Sequence, residues 1–123
     1  MTVQELYERI GGSYDSAKRI LPMDQLIGKF VVKFLDDKSF EKLESAAAAD
    51  DGEGIFEGAH AMKGVCANLG LDSLSQAASV LAEEFRPGRD RTMDDAAVRE
   101  KIAELKVQYE RTMEGIRQFS AGQ

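Results

Sequence analysis

The chain of 123 residues contains one cysteine, one histidine, two prolines and no tryptophan. A single cysteine cannot form an internal disulfide, which is typical of proteins that fold in a reducing compartment. The first residues also lack the basic and apolar pattern of a secretory signal peptide. We therefore expect a cytoplasmic protein.

Long apolar runs and an excess of positive charge are missing as well. No run approaches the roughly 20 apolar residues that a membrane-spanning helix needs. The 16 basic residues are outnumbered by 22 acidic ones, which gives a net charge of −6. Such a chain is repelled by phosphate backbones, so we expect neither a membrane nor a nucleic acid as its partner.

Helical periodicity runs through most of the sequence, whereas strand alternation is almost absent. Capping boxes at Thr2 with Glu5 and at Ser73 with Gln76 mark two helix starts. The pattern predicts helices near residues 3–10, 24–35, 39–49, 53–69, 73–85 and 94–119, with a brief turn after Ser13. Short loops place successive helices antiparallel. We therefore predict that residues 1–123 form a single all-α domain, an antiparallel four-helix bundle with a short N-terminal helical appendage.

The only histidine, His60, lies on the helix predicted at about 53–69. Five apolar residues of this helix recur at steps of four and three and form one buried stripe: Ile55, Ala59, Met62, Cys66 and Leu69. His60 lies about 140° from the centre of that stripe, so the pattern predicts that its imidazole faces solvent. Gly64 and Ala67 share this outward arc, and Lys63 lies about 60° to one side of His60.

Two neighbours of His60 are unusual for an ordinary helix surface. Glycine inside a helix costs about 1 kcal/mol relative to alanine, so Gly64 indicates that something outside comes close. No acidic residue lies three or four positions from Lys63, which leaves its charge free to meet a phosphate. Glu57 is interpreted as a surface residue that can also hydrogen-bond the imidazole and fix its tautomer.

Residues 59–64, AHAMKG, and 67–70, ANLG, closely resemble the motif of histidine-containing phosphotransfer domains. In that family a histidine is followed three residues later by a lysine, then directly by a glycine, and Leu-Gly ends the helix. The resemblance extends over most of the chain, because the family is a helical bundle of about this size. Cys66 departs from the pattern, since such domains carry another small residue there, and we expect it to pack as a small hydrophobe.

The resemblance implies a phosphorelay intermediate in two-component signalling. His60 would accept a phosphoryl group from a phosphorylated receiver domain or a kinase and pass it to a receiver aspartate. Lys63 would stabilise the phosphate charge, and Gly64 would allow the partner to approach. Magnesium would be held by the receiver, so the chain is expected to need no cofactor or metal of its own.

The expected partners are response-regulator receiver domains, a hybrid sensor histidine kinase, or both. Docking contacts are expected from Phe56, Glu57 and Ala67, and from Leu26 and Phe30 on the preceding helix. Phe30 is predicted on the inward face of that helix, and Leu26 outside its buried stripe. A monomer is expected, because one active face is enough and no heptad stripe is left over.

Two other functions remain open at this point. One is a receiver-binding bundle without phosphotransfer. The other is a metal-binding bundle, because Glu57 and His60 have the spacing with which di-iron bundles supply metal ligands, although the chain has no second histidine and His60 is predicted to face outward. A thiol hydrolase is not expected, because about 120° of helix separates Cys66 from His60 and the cysteine points inward. An autonomous kinase is not expected, because nothing resembles a nucleotide-binding loop and acidic residues surround the glycine pair at residues 52–54.

Overall fold

The computed structural model describes all 123 residues, and its regular secondary structure is entirely helical. The all-α class predicted from the sequence is therefore confirmed. No helix in it is both long and apolar enough to cross a membrane. The helices are α1 (Val3–Ile10), α2 (Tyr14–Ile20), α3 (Asp24–Lys33), α4 (Ser39–Ala48), α5 (Gly52–Asn68), α6 (Asp72–Glu84) and α7 (Asp95–Ala121), and a 3₁₀ turn, Phe34–Asp36, follows α3.

The first helix begins and ends where the sequence predicts. The Thr2 hydroxyl accepts a hydrogen bond from the Glu5 backbone N–H at 3.1 Å, and the Glu5 carboxylate accepts one from the Thr2 N–H at 3.0 Å. Both bonds of a capping box are thus present. Gly11 ends the helix with a φ of 70°, a left-handed conformation that glycine adopts without strain.

The second predicted capping box, Ser73 with Gln76, is wrong. Helix α6 already begins at Asp72, so Ser73 lies inside its first turn and caps nothing. Its hydroxyl instead donates a hydrogen bond to the Gly11 carbonyl oxygen at 3.3 Å. The reason is the left-handed Gly70, which turns the chain sharply enough for α6 to start almost at once.

Helices α4 and α5 approach each other closely through glycines. A Cβ atom on Gly58 would lie 2.8 Å from the Leu43 backbone nitrogen, and one on Gly54 would lie 2.8 Å from the Ala46 Cβ. The two pairs show that α4 and α5 run in opposite directions. This contact fixes which side of α5 faces the core.

Helices α5 and α6 also run in opposite directions. The Ser75 hydroxyl of α6 donates to the Lys63 carbonyl oxygen of α5 at 3.0 Å, whereas Phe85 at the end of α6 lies over Gly52. The Tyr109 ring of α7 stacks on Phe40 of α4 with ring centroids 4.3 Å apart. These contacts enclose one continuous core of 27 buried apolar residues.

The N-terminal helices belong to that core and support the end of α5. Leu6 and Tyr7 are fully buried, and the Tyr7 hydroxyl donates a hydrogen bond to the Leu69 carbonyl oxygen. The Ser13 N–H donates to the Gly70 carbonyl oxygen at 2.8 Å. Helices α1 and α2 thus hold the turn that joins α5 to α6.

Three of the four residues predicted to face inward along α3 and the turn after it are buried: Ile27, Val31 and Phe34. Phe30, expected to face inward, is 38% exposed, whereas Gly28 is buried. A Cβ atom on Gly28 would lie 3.3 Å from the Phe119 ring, so the glycine lets α3 pack closely against α7. Burying this small residue turns Phe30 towards solvent.

A buried carboxylate holds the loop between α6 and α7. Glu84 is 2% exposed. It accepts hydrogen bonds from the N–H groups of Thr92 at 2.8 Å and Met93 at 2.7 Å, and from the Thr92 hydroxyl at 2.7 Å. The bond from Met93 is the main cause that lowers the pKa of Glu84 below its ordinary value.

We predict that Glu84→Gln lowers the free energy of unfolding by about 2 kcal/mol at pH 7, because an amide cannot accept all three bonds. A carboxyl whose pKa is lowered by folding contributes stability above its ordinary pKa of 4.5, and this contribution is lost as pH falls. The difference from the wild type should therefore narrow below that pH. Urea unfolding monitored by circular dichroism at pH 7 and pH 3 measures both effects.

The neighbouring variant Glu83→Gln is the matched control. Glu83 pairs with Arg86 at the surface, where ion pairs contribute at most about 1 kcal/mol. Equal losses in the two variants, or a Glu84 effect that is the same at both pH values, would contradict the assignment.

Candidate functional site

Helix α5 carries the residues that the sequence singled out. Its start is capped by Asp51, whose carboxylate accepts a hydrogen bond from the Gly54 N–H at 3.0 Å. The predicted stripe is buried in full. His60 is exposed on the opposite side of the helix, as the helical spacing predicts.

The His60 imidazole lies against an aromatic ring one turn earlier. Its centroid is 5.5 Å from that of Phe56, and the two ring planes are inclined by 19°. Side chains of a helix lean towards its N-terminus, which brings residue 60 over residue 56. Phe56 is half-buried and packs against the core.

The space on the other side of the imidazole is open. Gly64 is exposed, and a Cβ atom built on it would meet no atom within 4 Å. The fold therefore does not require glycine at this position. Ala67, one turn further, is exposed as well. Together they leave a bare strip of helix beside the imidazole.

Of the two charged neighbours of His60, Lys63 is unpaired and Glu57 forms an ion pair. Lys63 is half-buried and takes part in no ion pair. Glu57 forms an ion pair across to Lys42 of α4, with 3.2 Å between nitrogen and oxygen. The carboxylate is thus drawn away from the imidazole, and the hydrogen bond that we considered between Glu57 and His60 is not formed.

The expected docking residues fall into two groups. Phe56, Glu57 and Ala67 share the outward side of α5 with His60. Phe30 lies in a neighbouring groove of about 420 Å³ between α3 and α5, which Val65 and Asn68 line from the α5 side. Leu26 is half-buried and does not line this groove.

Two of the alternative sites do not fit this geometry. Cys66 is fully buried, and burial raises the pKa of its thiol to about 12, so it cannot serve as the thiolate of a hydrolase. A di-iron site needs an imidazole that faces the bundle interior, whereas His60 faces solvent. The structure contains no group of three or more side chains that could hold a metal ion.

Two contacts at the site were missed by the sequence analysis. The stack of Phe56 on His60 has the spacing of four residues that brings helix side chains together, so the sequence did carry that signal. The ion pair between Lys42 and Glu57 joins two helices. Only the packing of α4 against α5 reveals it.

Comparison with known proteins gives one match. A sequence model of the Hpt domain matches residues 29–118, a range that includes α4, α5 and α6 in full. Helices α1 and α2 precede the matched range. No curated protein and no solved structure matches the chain significantly.

Proposed function

Because the Hpt match covers more than half of its length, the chain belongs to the Hpt domain family, and we propose that His60 is its phosphoryl acceptor. Hpt domains act by histidine phosphotransfer in phosphorelay signalling. The observation that carries the assignment is the exposed imidazole beside the bare Gly64, within the motif that resembles the family.

The proposed reaction moves one phosphoryl group between carboxylate and imidazole. A ring nitrogen of neutral His60 attacks the phosphorus of an aspartyl phosphate on a receiver domain. The new N–P bond forms as the bond from phosphorus to the carboxyl oxygen breaks, and that electron pair leaves with the aspartate. The proton on the other ring nitrogen stays in place, and transfer to a second receiver reverses the step.

Positioning and charge neutralisation are the main requirements of such a transfer. Lys63 supplies a positive charge that no other side chain of the protein neutralises, and its half-buried stem limits where the charge can move. Gly64 keeps the space beside the imidazole open for the active-site loops of the receiver. The magnesium ion belongs to the receiver, and the chain supplies no cofactor or metal of its own.

The proposed partners are receiver domains, a hybrid sensor histidine kinase, or both. Phe56, Glu57 and Ala67 contact the receiver around the acceptor, while Phe30 and Leu26 extend the contact over α3. We propose a cytoplasmic monomer that lacks kinase activity. The opposite directions of the paired contacts support an antiparallel four-helix bundle in which α3 and α4 form one bent helix and α5, α6 and α7 form the other three.

The decisive test is phosphorylation of His60 by a phosphorylated receiver with magnesium. We expect one phosphate per chain, labile in acid and stable in base, and none in His60→Gln. Because His60 is the only histidine, this lability together with the loss of label in His60→Gln assigns the site without peptide mapping. Circular dichroism should show the variant folded, since the replaced side chain is exposed. Binding of receivers without any labelling would instead indicate the receiver-binding bundle that does not transfer phosphate.

Removal of the Lys63 charge should slow transfer without weakening the fold. We expect Lys63→Gln to lower the transfer rate at saturating receiver by about tenfold, because the positive charge that stabilises the transferring phosphate is lost. Lys63→Arg should recover part of the rate. Lys101→Gln on α7 removes the same charge far from His60 and should transfer like the wild type. Equal rates in both glutamine variants would exclude the proposed role.

Gly64→Gln should slow phosphoryl transfer without lowering the stability of the fold. The fold has room for the longer side chain, and glutamine favours helix more than glycine by up to about 1 kcal/mol, so the melting temperature should not fall. Transfer from a receiver should drop by about tenfold or more, because the side chain holds the partner away. Ala103→Gln, an exposed position on α7, is the control for the added bulk. Wild-type transfer by Gly64→Gln would refute the role of Gly64.

A further inference from the structure

The contact between His60 and Phe56 is the one that holds the imidazole in the free protein. The ring planes are inclined by 19° with centroids 5.5 Å apart, so the phenyl ring lies against the imidazole in an offset stack. Neither ring nitrogen of His60 forms a hydrogen bond within the protein, and the nearest carboxylate on the helix, Glu57, is paired with Lys42. Nothing on the Gly64 side limits the imidazole.

Phe56 is itself held in place. It is half-buried and packs against the core, so its ring is a fixed support rather than a freely moving surface group. The lean of helical side chains towards the N-terminus presses residue 60 onto residue 56. Phe56 therefore lies on the N-terminal side of His60, the direction in which the imidazole leans.

A face contact is suited to orienting a nitrogen nucleophile. The lone pair that attacks phosphorus lies in the plane of the imidazole, at right angles to the stacking direction. A phenyl ring on the face can therefore restrict rotation of the side chain and leave both ring nitrogens uncovered. A hydrogen bond would restrict the ring only by occupying one of those nitrogens.

Resting on the proposed function of His60, we propose that Phe56 is a positioning residue, which holds the acceptor imidazole in the orientation that receives phosphate. This role is distinct from docking, in which Phe56 would only add contact area for a receiver. It is also distinct from packing, in which any apolar side chain of similar size would serve.

The size of the effect follows from the orientations that become available without the stack. In a helix a histidine side chain has about two χ1 and two χ2 wells, so about four orientations compete. If only one of these orientations is productive, the rate is proportional to the fraction of molecules that adopt it. Loss of the stack should lower that fraction, and with it the rate, by about two- to fourfold. Binding of the receiver should change less than this.

The test compares Phe56→Leu and Phe56→Tyr with the wild type, using phosphoramidate as the phosphoryl donor. Phosphoramidate is too small to need a docking surface. A nitrogen of His60 forms the new N–P bond as the P–N bond of the donor breaks. The donor nitrogen, already protonated in the zwitterionic form of phosphoramidate, leaves as ammonia with that electron pair. We expect Phe56→Leu to be labelled about two- to fourfold more slowly and Phe56→Tyr at the wild-type rate. Phe85→Leu makes the same change over Gly52, two turns of α5 away from His60, and should leave the rate unchanged.

Proton NMR of the single histidine gives a readout that does not depend on activity. In the wild type the Hα–Hβ couplings of His60 should report one dominant χ1 rotamer, whereas Phe56→Leu should show averaging over several rotamers and Phe56→Tyr should behave like the wild type. Wild-type labelling of Phe56→Leu by phosphoramidate, with a loss only when a receiver is the donor, would overturn positioning in favour of docking. Rotamer averaging of His60 in the wild type would also overturn it. Failure of the wild type to be labelled by either donor would overturn the proposed function itself.

Discussion

The close approach of α4 to α5 is the constraint on which the site depends. Gly54 and Gly58 have no side chains, so Ala46 and the backbone at Leu43 occupy the space beside them. Any larger residue would separate the two helices. The rotation of α5 follows from this contact and from its buried stripe, and it places His60, Gly64 and Ala67 on the outside.

The far end of α5 is fixed by a part of the chain that precedes the family match. Tyr7 and Ser13 donate hydrogen bonds to the backbone carbonyls of Leu69 and Gly70, and Leu6 completes the core beneath them. An α-helix cannot satisfy its last carbonyl groups by itself. The N-terminal helices satisfy two carbonyls just past the end of α5, and they thereby stiffen the helix that carries His60.

The sequence predicted the helices and the outward direction of His60 because both follow from spacing within one helix. It did not predict features that depend on contacts between helices. Phe30 was expected inside because the sequence could not show that Gly28 packs on Phe119, and Ser73 was expected to cap a helix that the Gly70 turn starts earlier. Glu57 lies at the surface as predicted, but its partner Lys42 is distant in sequence and near only in the fold. The contact between Phe56 and His60 lies within one helix. The sequence shows the spacing of four residues, but only the structure shows how the two rings are oriented.

Cys66 lies on the same helix as His60, the proposed phosphoryl acceptor, but on its enclosed side, and burial raises the pKa of its thiol. Oxidants such as peroxide react with exposed thiolates, whereas the single cysteine of this chain is buried. The transfer proposed for His60 therefore takes place on a surface without a reactive thiol.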